Sequence, residues 1–508
     1  MSPWLALILV VLAFLGEPLF VIFGAASMIL FSSLADTSIT GATNDVFSEK
    51  FADSPLLVTI PLFTFAGYLM AESGTPKRLV EVSRAWLGWL PGGVAIVCLL
   101  ASAFFTTFTG GSGITIVAIG GLLYPALLQE EYPERFSLGL VTTGGSLGLL
   151  FPPSLPVVIY GVVAGITIEK LFLAGIVPGL LSVLMLSGYS FVVGRRRRQS
   201  RTKFEMGEAL RTLNVAKWEL LLPVVLLGGM YSGALRIHEA AAFTAIYTLI
   251  VEVFVYRDVT LRGDVPRIVR ESMTLVGAIL AILAMAIGFT AFLIQARVPM
   301  MILEAMQRFI SSPTMFLFLL NIFLLVVGML MDIFSAIVVV VPLIAPIAER
   351  YGIDPYHLGV IFLLNLEIGY LTPPVGLNLF ISSFRFEKPV TELYRAVLVF
   401  IGILIVTLLI TTYVPRFSTF LPDRFGGPSD APSQTAPETP SGPAPGGEVA
   451  PTTDEGGGGL DALEAEIGGG AEEPLDLDAL EAEIGGPDAG APDAAAAGEA
   501  PTPAPANP

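Results

Sequence analysis

Reactive and charged side chains are scarce in this chain. Its 508 residues include one cysteine and two histidines, and only 14% are charged. A single cysteine, Cys98, excludes an intramolecular disulfide and any cysteine cluster for zinc or iron–sulfur. Its apolar surroundings predict a small packed hydrophobe. His238 and His357 lie 119 residues apart near predicted helix ends, which argues against a shared metal or catalytic role. There is no GxxxxGK[ST], no dinucleotide fingerprint beside a strand and no HExxH. Energy for any transport must therefore come from an ion gradient or from another chain. The lack of a nucleophile–base or metal constellation also disfavours an enzyme.

What the chain has instead is apolar sequence. It is 54% hydrophobic with a mean hydropathy of +0.76, the composition of a membrane protein rather than of a large soluble core. The net charge of −17 belongs to a tail: residues 423–508 hold 18 acids and one base, Arg424. The other 422 residues hold 26 of each sign. From about Phe425 the chain is Pro, Ala, Gly, Asp and Glu, too poor in large apolar groups to offset its own entropy, and a disordered acidic tail is expected. Within it the ten residues from Leu460 recur at Leu477–Gly486, either as a partner motif used twice or as a low-complexity repeat.

Apolar runs occupy roughly 4–15, 19–34, 55–73, 91–108, 114–128, 136–164 and 171–193, then 219–234, 240–256, 271–295, 314–331, 335–348, 357–383 and 392–415. The N-terminus lacks a basic n-region and a clear cleavage site, so a retained membrane segment is expected. A spanning helix needs about 20 residues. The shorter runs 114–128 and 335–348 suit re-entrant hairpin arms. Two long runs are broken by Pro-Pro, at Gly148-Leu-Leu-Phe-Pro-Pro-Ser154 and at Gly369-Tyr-Leu-Thr-Pro-Pro-Val375, 221 residues apart. A Pro-Pro pair removes two backbone donors and clashes with the preceding turn. Freed carbonyls at membrane depth persist only in protein or beside a polar cavity. Broken helices at matching places in two halves are the sign of a secondary transporter, and they mark its site.

Lys and Arg are enriched in cytoplasmic loops. The strongest cluster is Arg195–Arg198 with Arg201 and Lys203; others are Lys77, Arg78 and Arg84, then Arg257, Arg262, Arg267 and Arg270, and Arg385, Lys388 and Arg395. These are compatible if 91–128 and 314–348 are hairpins entered from opposite sides. The expected fold is then an all-α polytopic membrane protein of two inverted repeats. The first is 1–194, with hairpin 91–128 and broken helix 136–164. A cytoplasmic linker follows at 195–217, where 200–217 is either a surface helix or a solvated connector. The second repeat is 218–422, with hairpin 314–348 and broken helix 357–383. The tail is 423–508, and both termini are expected to be periplasmic.

The hairpin tips and breaks carry the candidate chemistry. The first tip includes Gly110, Gly111, Ser112, Gly113 and Thr115, whose turn carbonyls and hydroxyls are hard oxygen ligands for a small cation such as Na⁺. The second includes Asp332 and Ser335. A lone intramembrane carboxylate is a functional candidate by default, and a cation-site or gating role is expected for Asp332, with capping of the helix after it as the main rival. The breaks add Pro152 and Pro153, and Thr372 and Pro373. Ser154, Thr372, Gly376 and Asn378 are candidate substrate contacts. Anion recognition could use Arg297, helix N-termini or Asn378; an interhelical hydrogen bond is the alternative for Asn378. Of the other carboxylates, Glu17 and Glu239 fall at turns, Glu252 could snorkel near an inside end, and Glu367 is expected to make an interhelical contact.

The runs Gly110–Gly113 through Pro133, Phe151-Pro-Pro-Ser-Leu-Pro156, Lys170–Gly179, Glu239–Ala242 through Arg257, and Thr372-Pro-Pro-Val-Gly376 with Asn378 resemble the large membrane subunit of tripartite ATP-independent periplasmic (TRAP) transporters. The resemblance covers roughly 4–422. It implies an all-helical inner-membrane permease with scaffold and transport domains, moving like an elevator on a Na⁺ gradient, with no organic cofactor. It implies a periplasmic substrate-binding protein and a small four-helix membrane subunit, here expected on a separate chain. Organic acids are the implied substrates: C4-dicarboxylates, sugar acids, keto acids or sulfonates. Its Na⁺ sites would lie at the hairpin tips. The acidic tail is outside the family pattern. The competing readings are a stand-alone Na⁺/organic-anion symporter of the same architecture, a membrane-embedded enzyme, and a channel.

Overall fold

The computed structural model describes residues 57–197, 204–307, 310 and 312–425, with 21 and 24–28. The acidic tail, its repeated motif and most of the first two apolar runs lie outside these residues. Among the described residues all regular structure is helical. Ahead of the first hairpin come α1 (Thr59–Glu72) and α2 (Thr75–Leu87). The hairpin is α3 (Gly93–Thr109) and α4 (Ser112–Gln129, with a π-turn over Ile116–Gly120). The broken helix is α5 (Glu134–Gly144) and α6 (Leu155–Ala164), followed by α7 (Ile168–Arg197). The middle of the chain forms α8 (Met206–Val215), α9 (Lys217–Tyr231), α10 (Ile237–Val255), α11 (Asp264–Gln295) and α12 (Val298–Gln307). The second hairpin is α13 (Pro313–Leu330) and α14 (Ile333–Arg350). The second broken helix is α15 (Pro355–Gly369) and α16 (Leu377–Phe386), followed by α17 (Val390–Tyr413) and α18 (Arg416–Phe425).

The five elements α3–α7 reappear in order as α13–α17, and their first residues lie 220 to 222 positions apart. Local chemistry sets several boundaries. Ser312 and Asp354 each cap a helix whose first residue is proline, accepting from Met315 N and His357 N at 3.2 and 2.9 Å. The helices of both long apolar runs end ahead of their Pro-Pro pairs, at Gly144 and Gly369, and the chain turns through the pairs before α6 or α16 begins. Seven described helices are long and apolar enough to cross a membrane: α4, α7, α10, α11, α13, α14 and α17. The pair α8 and α9, bent by 67°, makes an eighth if taken as one span. The second arm of each hairpin, α4 and α14, is 18 residues long, longer than the runs 114–128 and 335–348 suggested, because Ser112, Gly113 and Gln129 extend α4 and Ile333, Phe334, Glu349 and Arg350 extend α14. Length alone therefore does not mark them as re-entrant.

Four helices had no counterpart among the apolar runs: α2, α8, α12 and α18. α2 and α18 are amphipathic and hide in polar-looking sequence. The linker resolves in favour of a surface helix. α8 leaves Met206, Leu210 and Leu213 exposed on one side, while Phe204 meets the Trp86 ring edge-on at 6.3 Å. A single apolar core runs through both hairpins and both broken helices, and Cys98 is packed inside it as expected.

Candidate functional site: two oxygen-lined cradles at the helix breaks

α3 ends at Thr109 because Gly110 turns into the left-handed region, φ 61°, where a side chain would be strained. Gly111 is extended and α4 starts at Ser112. This tip lies against the turn between α5 and α6. Thr106 Oγ1 sits 2.8 Å from Thr115 Oγ1, 2.9 Å from the Gly145 carbonyl and 2.7 Å from the Ser102 carbonyl. Two carbonyls thus compete for one hydroxyl hydrogen. Thr107 Oγ1 donates to the Gly148 carbonyl at 3.3 Å. Pro152, Pro153 and Ser154 are buried, and neither Ser154 Oγ nor Thr143 Oγ1 has a hydrogen-bond partner.

The second tip and break are joined in the same manner. Gly376 N donates to the Met329 carbonyl at 3.3 Å, and Ile333 N donates to Tyr370 Oη. α13 and α15 touch backbone to backbone, so that a Cβ on Gly369 would lie 2.5 Å from the Gly328 carbonyl carbon. Thr372 Oγ1 donates to the Ile368 carbonyl at 2.8 Å. Unlike the first break, this one is open: Thr372 and Pro373 are half-buried, and Pro374 and Val375 are exposed.

Each cradle is completed by the other half. α16 packs on α4 and α5, and Thr142 Oγ1 donates to Ser382 Oγ at 2.9 Å. Asn378 Nδ2 reaches the Thr142 carbonyl at 3.5 Å, while Asn378 Oδ1 is buried without a partner. Reciprocally, α6 packs on α14 and α15, with the Tyr160 and Phe362 rings 5.5 Å apart, a contact worth about 0.5–1.5 kcal/mol beyond its area. Three unpaired buried acceptors or hydroxyls, Thr143 Oγ1, Ser154 Oγ and Asn378 Oδ1, thus belong to the elements of the first cradle. Buried polar groups are nearly always satisfied, so these atoms have capacity for a ligand.

The expected site residues separate into groups. Gly110–Gly113, Thr115, Pro152, Pro153 and Ser154 come together, with Asn378 reaching the same helix bundle. Thr372, Pro373 and Gly376 join the second tip. Asp332 takes the capping alternative: its Oδ2 accepts from Phe334 N and Ser335 N at 3.1 and 3.0 Å, and Ser335 Oγ donates to its Oδ1. Arg297 is exposed in the link between α11 and α12, in the left-handed region, φ 53°. No hydrogen bond or ion pair among the described residues ties it to either break.

Two carboxylates depart from expectation. Glu252 does not snorkel: it is buried, accepting from Thr75 Oγ1 at 2.9 Å and from Arg78 Nη2 at 3.0 Å. Arg78 is correspondingly no loop charge. It also binds Glu219 and Asp258 and stacks 3.8 Å from the Tyr256 ring centroid. Burial alone would lower its pKa, but Asp258, Glu219 and Glu252 outweigh that and hold the guanidinium above its ordinary value. Sequence reasoning missed this cluster because the carboxylates lie 141 to 180 residues from Arg78. Glu367 makes no interhelical hydrogen bond or ion pair among the described residues; both its oxygens are buried without a partner.

Paired hairpins, two interrupted helices and oxygen-rich tips inside a multi-span bundle define a membrane protein built like a secondary transporter. The chain belongs to the tripartite ATP-independent periplasmic transporter family, DctM component, whose family model matches residues 6–417. It is 38% identical over 404 residues to the C4-dicarboxylate TRAP transporter large permease protein DctM of Pseudomonas aeruginosa, covering 79% of this chain and 93% of that protein. It is 34% identical over 449 residues to the protein of the same name from Vibrio cholerae, covering 84% and 99%. The isethionate TRAP transporter permease protein DctMQ of Oleidesulfovibrio alaskensis is 35% identical, with 82% of this chain and 65% of that protein covered. These relatives are transporter permeases, not enzymes. In fold the chain is similar to the YdaH transporter of Alcanivorax borkumensis, with a TM-score of 0.57 at 14% identity over 78% of this chain and 97% of that one.

Proposed function

We propose that this permease imports an organic acid on a Na⁺ gradient and receives it from a periplasmic binding protein. The reading is carried by the two cradles, in which each hairpin tip lies on its own broken helix and is closed by the post-break helix of the other half. That reciprocity supports two inverted repeats, 1–194 and 218–422 about the linker 195–217, moving as an elevator against a scaffold. Na⁺ would be held by turn carbonyls and hydroxyls from Gly110–Gly113, Thr115, Pro152 and Pro153, and from Thr372, Pro373 and Ser335. In the second set Asp332 would act through its cap. Substrate would meet Ser154, Asn378, Thr372 and Gly376. The spare Asn378 Oδ1 would accept from a substrate hydroxyl or acid, and Arg297 would have to move to take part. The relatives named for C4-dicarboxylates make that acid class the first to test. A small four-helix membrane subunit would accompany the chain in an inner membrane, with both termini periplasmic.

The test is uptake of labelled organic acids into proteoliposomes holding this chain and its small subunit, with and without a Na⁺ gradient and the binding protein. Uptake needing both supports the reading. Uptake with Na⁺ but without the binding protein would make the chain a stand-alone symporter, and flux that neither saturates nor needs Na⁺ would make it a channel.

A further inference from the structure

Glu367 lies two residues before the end of α15 and six before Pro373. It is 1% exposed, and neither carboxyl oxygen has a hydrogen-bond donor. α15 is packed against α6, α7, α13, α14, α17 and α18. α6 and α13 carry no charged residue, and Tyr160 of α6 keeps its hydroxyl unpaired. Charges on the others lie towards their ends: Glu169, Lys170, Arg195 and Arg196 on α7, Glu349 and Arg350 on α14 with Asp332 before it, Glu392 and Arg395 on α17, and Arg416, Asp423 and Arg424 on α18. On α15 itself, His357 is bound to Ser418 Oγ and the Thr412 carbonyl, and the following Tyr370 is bound to Ile333 N. None of these groups hydrogen-bonds or ion-pairs with Glu367.

An ionised carboxylate removed from water with no donor and no counter-charge is strongly disfavoured relative to the neutral acid. A structural glutamate would have found a partner, as most buried polar groups do. The group has no twin: the matching position of the first half is Ser146, whose Oγ donates to the Thr143 carbonyl at 3.3 Å. The break that follows Glu367 is the more exposed of the two, with Pro374 and Val375 uncovered.

We infer that Glu367 is a proton-binding site of the moving domain, additional to the sodium sites, which takes a proton from water on one side and returns it on the other. Only the carboxyl O–H bond forms and breaks. The inference rests on the transport reading above, and it makes one proton, not two, part of each cycle.

Purified wild-type protein at neutral pH is expected to show the infrared carbonyl band of a neutral carboxylic acid that is lost in Glu367→Gln. In proteoliposomes, Na⁺-driven uptake by wild type is expected to change several-fold with lumenal pH. Glu367→Gln, which mimics the neutral acid, is expected to keep Na⁺ dependence with a flat pH profile. Absence of a Glu367-dependent band, or coincident pH profiles, would overturn the proposal. If the glutamine variant does not fold, Glu367→Asp decides, since the band must shift with the altered acid. Uptake that ignores Na⁺ while the band is present would fault the sodium reading and leave the proton site standing.

Discussion

Removing the Arg78 guanidinium should strongly destabilise this protein. Its side chain is only 10% exposed, and two of its three carboxylate partners, Glu219 and Glu252, are 1% exposed. Arg78→Met keeps most of the apolar stem, so it isolates the charge. It strands two buried carboxylates, which still have Tyr256 Oη at 2.7 Å on Glu219 and Thr75 Oγ1 at 2.9 Å on Glu252 but no cation. Breaking a buried ion cluster from one side costs about 3–5 kcal/mol, and the lost contact with Tyr256 is part of that sum. The same principle predicts rescue. Arg78→Met combined with Glu219→Gln and Glu252→Gln removes the stranded charge and should recover most of the loss. The assay is thermal unfolding of detergent-purified protein, followed by tryptophan fluorescence and by the monodisperse fraction on size exclusion. If Arg78→Met melts with wild type, or the triple variant melts no higher than the single one, the argument from buried charge is wrong.

Asp332→Asn retains an acceptor for Phe334 N and Ser335 N and should keep wild-type stability, whereas Asp332→Ala should lose about 1 kcal/mol in the same melt. Impaired Na⁺-dependent uptake by a stable Asp332→Asn would give the carboxylate a role beyond capping. Gly369→Ala places a methyl 2.5 Å from the Gly328 backbone and should cost about 1–3 kcal/mol as the helices part, seen as a lower yield of folded protein. Glu134, at the exposed start of α5, pairs with Lys388 in the turn before α17, and the hydrogen bond from Lys388 holds its carboxyl below the usual range. A depressed acid contributes above its unfolded pKa and loses that contribution as pH falls through the folded one. The small gap in melting temperature between wild type and Glu134→Gln should therefore be widest near neutrality and close on acidification; a constant gap would count against the pair.

The breaks, the hairpins and their order were legible because the signals are local and severe. Pro152-Pro153 and Pro373-Pro374 cannot continue a helix in any surroundings, and apolar runs in a charge-poor chain have few alternatives to the membrane. The amphipathic α2 was not legible, since Lys77, Arg78 and Arg84 look like loop charges until a partner surface is known. Nor did Glu367 and Glu252 differ in sequence: both are lone acids in apolar helices, yet Glu252, expected to snorkel, is ion-paired between helices, and Glu367, expected to make such a contact, has no hydrogen-bond partner.

By itself the sequence determined the class, two like halves with interrupted helices, because proline geometry and hydrophobic length act within a few residues. Only the tertiary structure decided which oxygens meet, that Glu252 is neutralised by Arg78 and that Glu367 is left alone. The Arg78 cluster depends on contacts across 140 residues and more, and burial and pairing throughout are set by the neighbours that packing supplies.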